Sequence, residues 1–359
     1  MSTGGELIVR SDRAGCRRRL AALRHGLHAA TGVEAVLVTG PGAVAALTGV
    51  WLETGTVLPG RQPWLLVGPD GPPRLLVHDF ELELARRRCP PELAQITPVT
   101  DRCRAVRQWQ AGLGAAVRLG ADGSGVPANE QPLPPDAEHR EISDRLPELL
   151  RGYHAPELAQ VRAGAAVLEL AVATVLRGPC APERELAARL AAEVFQSSGD
   201  WYDLVPIASS GPRLRIPHAR PTGRTPEQGD LCRIGVRARY GPYHLMCVRS
   251  AVVRGDRYLT TEGVCGAAGA DAAAVLDALR PGASYRELAG ALPVRTGRLA
   301  IPLAQGMGFA FKEPPQLGAD RADTLAEGDL VLVSIVLTEP TGARAYWQNV
   351  TPVGAGADG

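Results

Sequence analysis

Five strand-like segments in the second half of the chain constrain its fold more than any other feature: Leu204–Ser209, Leu231–Val236, Tyr243–Val253, Leu330–Leu337 and Tyr346–Val353. Helical patterns bracket and interrupt them. Pro156–Leu176 and Glu183–Phe195 come first, and Asp271–Leu279 and Tyr285–Leu292 lie between, with Asp271 as the cap of the third and Arg280-Pro281-Gly282 as the breaker after it. Blocks of consecutive strands between helix pairs imply an α+β domain, an antiparallel sheet covered by helices. The first half alternates instead. A helix over residues 14–31 carries Leu20, Leu23 and Leu27 on one stripe, and a strand at Val33–Thr39 is stopped by Gly40-Pro41-Gly42. A hairpin joins Pro63–Val67 to Leu75–Val77 through Gly68-Pro69-Asp70-Gly71. Short helices at Phe80–Arg88 and Asp101–Leu113 flank a strand near Ile96, and the Gly- and Pro-rich stretch Gly120–Asp136 reads as surface loop. The first half is therefore expected to be a small α/β domain, with a boundary near residue 150 that divides the chain into 1–150 and 151–359.

Composition narrows the function. A chain of 359 residues suits two domains, and 39 basic against 38 acidic side chains leave a net charge of +1, with no basic surplus for a sequence-blind nucleic-acid binder. No unbroken apolar run of about 18 residues points to a membrane span, so Ala165–Val175 reads as part of a buried helix. The charged N-terminal stretch lacks the apolar core of a secretory signal. Seven dispersed cysteines, never in a C-x-x-C pair, argue against a zinc ribbon or a disulfide framework and suit a reducing cytosol. A soluble cytoplasmic protein is expected, acting on a small molecule. Lys312 is the single lysine among the 39 basic residues.

The motifs come in a fixed order. Ala208-Ser209-Ser210-Gly211-Pro212 leads to Ile216-Pro217-His218-Ala219, followed by Gly229-Asp230-Leu231, Tyr243 through Arg249-Ser250, Arg280-Pro281-Gly282, Gln305-Gly306-Met307-Gly308 and Glu313-Pro314-Pro315. This series resembles the creatinase, prolidase and aminopeptidase P family over nearly the whole second half. The resemblance implies a pita-bread domain behind a smaller creatinase-like domain, and a homodimer. Active peptidases of that family hold two metal ions between two Asp, one His and two Glu, because hard divalent cations take carboxylate oxygens and activate a shared water. Carried over one at a time, those five positions fall on Gly235, Met246, Gln305, Ser334 and Gln348. None carries a charge, and Leu231–Ser250 contains no Asp or Glu at all. The resemblance thus implies a divergent member that holds no metal and needs no cofactor.

Side chains two apart on a strand share a face. Arg233 and Arg237 would flank Gly235, His244 and Val248 would flank Met246, and Tyr346 would flank Gln348. Gln305, Gln348 and Ser334 suit a polar small molecule, and arginine forks favour a carboxylate or phosphate on it. By the resemblance His218 is a proton carrier, as in metal-free creatinase; otherwise it is a turn histidine. Lys312 falls where the family has a second histidine; it is a base, a carboxylate anchor or an imine former, or else an exposed partner of Glu313. His244 is a third catalytic candidate or an exposed strand histidine. Tyr202 and Trp201 wall the pocket or simply pack, and Cys232 and Cys247 are expected in the core on the opposite face. The expected function is a metal-independent enzyme for a small polar or anionic amide or carboxylate (hydrolysis, elimination or cyclisation), within bacterial secondary metabolism. The alternative is a non-catalytic pseudo-peptidase that binds a peptide or protein.

Overall fold

The computed structural model describes residues 12–52, 61–114, 116–134, 137–294, 297, 301 and 303–354. The chain divides into two compact units between His154 and Ala155.

The first unit is a six-stranded mixed sheet with helices. Its elements are α1 (Arg13–Thr31), β1 (Ala35–Val38), α2 (Pro41–Thr48), β2 (Trp64–Val67), β3 (Arg74–His78), α3 (Leu82–Arg88), β4 (Gln95–Val99), α4 (Arg102–Ala111), β5 (Leu119–Ala121), β6 (His139–Glu141) and α5 (Leu146–Leu149). The strand order is β4-β3-β2-β1-β5-β6. Asp12 caps α1 by accepting from the Ala14 and Gly15 N–H groups. Two expectations need correction here. Gly40-Pro41-Gly42 does not merely stop a strand: Pro41 opens α2, where a residue without an N–H costs nothing. Gly120 and Ala121 form the buried strand β5, so the loop reading of that stretch began too early.

The second unit opens with α6 (Ala155–Arg177) and α7 (Glu183–Gln196). Then come β7 (Trp201–Ser210), a 3₁₀ turn at Gly211–Arg215, β8 (Leu231–Tyr240), β9 (Tyr243–Arg254) and β10 (Arg257–Leu259). It closes with α8 (Gly263–Asp277), α9 (Tyr285–Gly290), β11 (Ala304–Gly306), β12 (Glu313–Leu317), β13 (Leu330–Thr338) and β14 (Arg344–Pro352). The sheet order is β12-β11-β13-β14-β9-β8-β7, with β10 paired to β9, and every pairing is antiparallel. This is the α+β pita-bread arrangement.

The helices α6 and α8 cover one face of this sheet. Cys265, Ala268, Ala272 and Val275 of α8 pack with Val331, Val333, Ile335 and Leu337 of β13. By length and apolar composition α6 alone among the described helices passes for a membrane span, but its Leu158, Val161, Leu168, Val172 and Val175 are buried in the unit. Asp271 is no cap; it lies fully buried inside α8, which begins at Gly263. Three glycines in its first seven residues (Gly263, Gly266, Gly269) weaken the helical signal there. Cys232 and Cys247 are buried, and burial pushes both thiols up, Cys247 to about 11.

Candidate active site

Directly opposed residues in an antiparallel ladder project to the same face. One such row runs Ile207–Gly235–Val248–Gln348–Ser334 across β7, β8, β9, β14 and β13. The next row on one side holds Val205, Arg237 and Met246, with Gln305, Leu332 and Val350 continuing it through β11, β13 and β14. The row on the other side holds Ser209, Arg233 and Ser250, and the Tyr346 N–H donates to Ser250 Oγ at 2.8 Å. All five positions taken from the family's metal site therefore share the sheet face away from α6 and α8. Arg233, Arg237, His244 and Tyr346 share it too.

The residues on this face do not fit a pair of divalent cations. Glycine, methionine, serine and two glutamines offer no anionic donor, and among the described residues no group of three or more His, Cys, Asp or Glu is placed to hold a metal. The backbone adds a second obstacle. A Cβ at Gly235 would overlap the Cys247 carbonyl oxygen and lie 2.7 Å from the Val248 Cα. Val248 itself is 0% exposed, so the centre of the row is filled by an aliphatic side chain.

What the face offers is positive charge and neutral hydrogen bonding. Gln348 Nε2 donates to Ser334 Oγ at 3.1 Å, and Gln305 Nε2 to the Phe311 carbonyl at 3.3 Å. The Arg237 guanidinium lies 5.3 Å from the Phe311 ring centre. Arg233 is only 4% exposed; its Nη1 donates to the Pro217 carbonyl at 2.5 Å and its guanidinium sits 4.9 Å from the Tyr346 ring centre. Burial pulls its pKa down, with Tyr346 opposing.

His244 is not an exposed strand histidine. Its N–H donates to the Gly308 carbonyl, its ring meets the edge of Phe311, and Arg239 Nη1 reaches its Nε2 at 2.5 Å. A guanidinium can only donate, so Nε2 accepts and the ring proton sits on Nδ1. Burial first, then Arg239 and Arg237, push its pKa down to about 2. This environment favours the neutral ring of the catalytic candidate His244, with Nδ1–H as its donor. The same shift makes stability fall with acid. An unfolded imidazole takes up a proton below pH about 6.5, whereas folded His244 does not until about 2. Between those limits the folded state should lose about 1.4 kcal/mol per pH unit through this residue. Urea unfolding at about pH 7 and about pH 5 should show a smaller acid loss in His244→Asn than in the parent chain.

His218 and Lys312 are exposed, and no hydrogen bond joins either to Gln305 or Gln348. Lys312 makes no ion pair with Glu313, whose carboxylate accepts from the Ala310 N–H at 3.0 Å. Tyr202 is half-buried opposite Arg239, and Trp201 is packing: its ring lies tilted against Tyr240 at 4.8 Å and donates to Ser197 Oγ. The loop that carries His218 is pinned at both ends by Glu183, a residue the sequence reading passed over. Fully buried at the start of α7, its carboxylate accepts from Ser210 N and Oγ (2.8 and 2.9 Å), Arg213 Nε (3.1 Å), and Thr222 N and Oγ1 (3.0 and 2.8 Å). Arg239 and Ser209 were also missed, although the alternation that selected Arg233 and Arg237 extends to Arg239.

Comparison with known proteins agrees with this architecture. No curated protein matches the chain. Among solved structures, an Xaa-Pro dipeptidase from Bacillus anthracis superposes with a TM-score of 0.77 at 16% identity, over 94% of this chain and 95% of that one. Dipeptidase PepE from Mycobacterium ulcerans gives 0.72 at 21% identity, over 96% and 94%. The N-terminal domain of the FACT complex subunit SPT16 from chickpea (Cicer arietinum) gives 0.69 at 13%, over 95% and 94%. At these identities the likeness shows the fold. The model of metallopeptidase family M24 matches residues 159–351, more than half of the sequence and all but the last residue of the sheet just described. The chain belongs to metallopeptidase family M24.

Proposed function

We propose that the cleft face performs metal-independent chemistry on a small polar or anionic amide or carboxylate compound, with His218 as the residue that moves a proton. One observation carries this reading: a cationic, hydrogen-bonding surface occupies the sheet rows where the family places its carboxylates. Hydrolysis, elimination and ring closure each require a proton to leave one atom and return to another. An exposed imidazole on a loop clamped at both ends is suited to that exchange. The neutral His244, held as an Nδ1–H donor, and the Gln348–Ser334 pair would orient the substrate without competing for the proton. Arg237 supplies an anion contact.

The test is a screen of N-acyl amino acids and related small amides for turnover in the presence of EDTA. Activity should survive the chelator, and His218→Ala should lower kcat by about 10²–10⁴-fold without loss of fold. Chelator-sensitive turnover restored by manganese, cobalt or zinc, or two tightly bound ions per chain, would overturn the reading. A second reading, a non-catalytic binding module, is favoured by Val248 filling the centre of the row. Stoichiometric capture of an amide that is never consumed would support it.

A further inference from the structure

The buried arginine of the cleft face is incompletely satisfied. Arg233 Nη1 is engaged by the Pro217 carbonyl, but its Nε has no hydrogen-bond partner, and neither has the buried Oγ of Ser209, the residue directly opposite it on β7. Both residues are more than nine-tenths buried, at 4% and 2% exposed. Two partly buried arginines of this unit do face carboxylates: Arg213 reaches Glu183 and Arg224 reaches Asp230. Among the described residues no carboxylate pairs with Arg233; the Tyr346 phenol hydrogen-bonds to it and its ring lies 4.9 Å from the guanidinium. A buried cation without a counter-charge is destabilising unless something supplies the charge, and a bound anion would supply it at Arg233.

We infer that Arg233 Nε and Ser209 Oγ form the anchor for a substrate carboxylate, one oxygen taking the Nε–H and the other the hydroxyl. The Tyr346 ring, half-buried, covers the guanidinium and is the side chain a ligand displaces or lies against. The pairing fits two donors to the two oxygens of a planar acid, whereas a tetrahedral phosphate would leave oxygens unmatched beside the apolar neighbours. Because Arg233 also holds Pro217, the anchored acid lies beside the loop that carries His218. This deepens the proposed function and rests on it.

Acetate is the probe, being small enough to enter a buried position, and inorganic phosphate is the contrasting arm; both are titrated into the whole protein at constant ionic strength against chloride. Acetate should raise the Tm of the parent chain and phosphate should not. Arg233→Met should start about 3 °C higher without ligand, because a buried unpaired charge has gone, and should show no acetate increment. Ser209→Ala should weaken acetate about tenfold without that gain, and it carries the test alone if Arg233→Met fails to fold. A lower starting Tm in Arg233→Met makes the arginine a strut and overturns the proposal, as does a larger phosphate than acetate effect. Acetate binding that survives Arg233→Met but is lost in Arg237→Gln sinks the anchor while sparing the cleft reading. No acetate effect in the parent chain sinks the anchor, and EDTA-resistant turnover then decides the cleft reading separately.

Discussion

Glu183→Ala is expected to cost about 3–5 kcal/mol of folding stability, measured as the shift of the urea midpoint. The change leaves five donors without their buried acceptor: two N–H groups, two hydroxyls and the Arg213 guanidinium. Glu183→Gln keeps the shape but loses the charge and one acceptor oxygen, and should lie between the parent and the alanine variant. The consequence for function is separable from stability. Ser210 and Arg213 precede His218 and Thr222 follows it, so loosening both ends lets the imidazole wander. At a temperature where Glu183→Gln is still folded, kcat should fall more than KM rises, since geometry at the reacting atom is what is lost. A glutamine variant with parental stability and parental kcat would show that the clamp does neither job.

The second large effect concerns the way back to metal chemistry. Gly235→Asp restores the residue type that the resemblance places there, yet it should destabilise the chain by about 3 kcal/mol or more and bind no metal. The reason is local: a Cβ at 235 overlaps the Cys247 carbonyl oxygen and meets the Val248 Cα and Cγ2 at 2.7 and 2.8 Å. Relief requires β8 and β9 to separate along a ladder that continues from Leu231 to Tyr240. Calorimetric titration with manganese gives the second readout. Tight binding by the single Gly235→Asp variant would mean that the strands part easily and the site is one step from its ancestor.

The sheet was legible because strand alternation is a strict period of two. Once the resemblance set Gly235 and Gln348 on the cleft face, Arg233, Arg237 and Tyr346 followed by alternation, and the register agrees. Cys232 and Cys247 fell on the helix-covered side by the same rule. Helix starts were harder. Glycines disguised the first turns of α8, and a Gly-Pro-Gly that reads as a stop is the entry to α2. The environment of His244 was only half legible. Arg239 lies opposite it across the β8–β9 hairpin and within reach of the same alternation, but the Gly308 carbonyl arrives from more than sixty residues away, and no local pattern announces it. Lys312 shows the opposite failure. It is the single lysine of an arginine-rich chain, but the side chain is exposed and joined to neither glutamine.

The pairing of Arg239 with an imidazole that stays neutral has a consequence for capture rates. A cleft whose charge came from histidines would fade above neutrality, but guanidinium groups keep theirs at any pH a cell reaches. For the anionic substrate proposed above, the guanidinium share of the steering field is one that salt can damp and protons cannot.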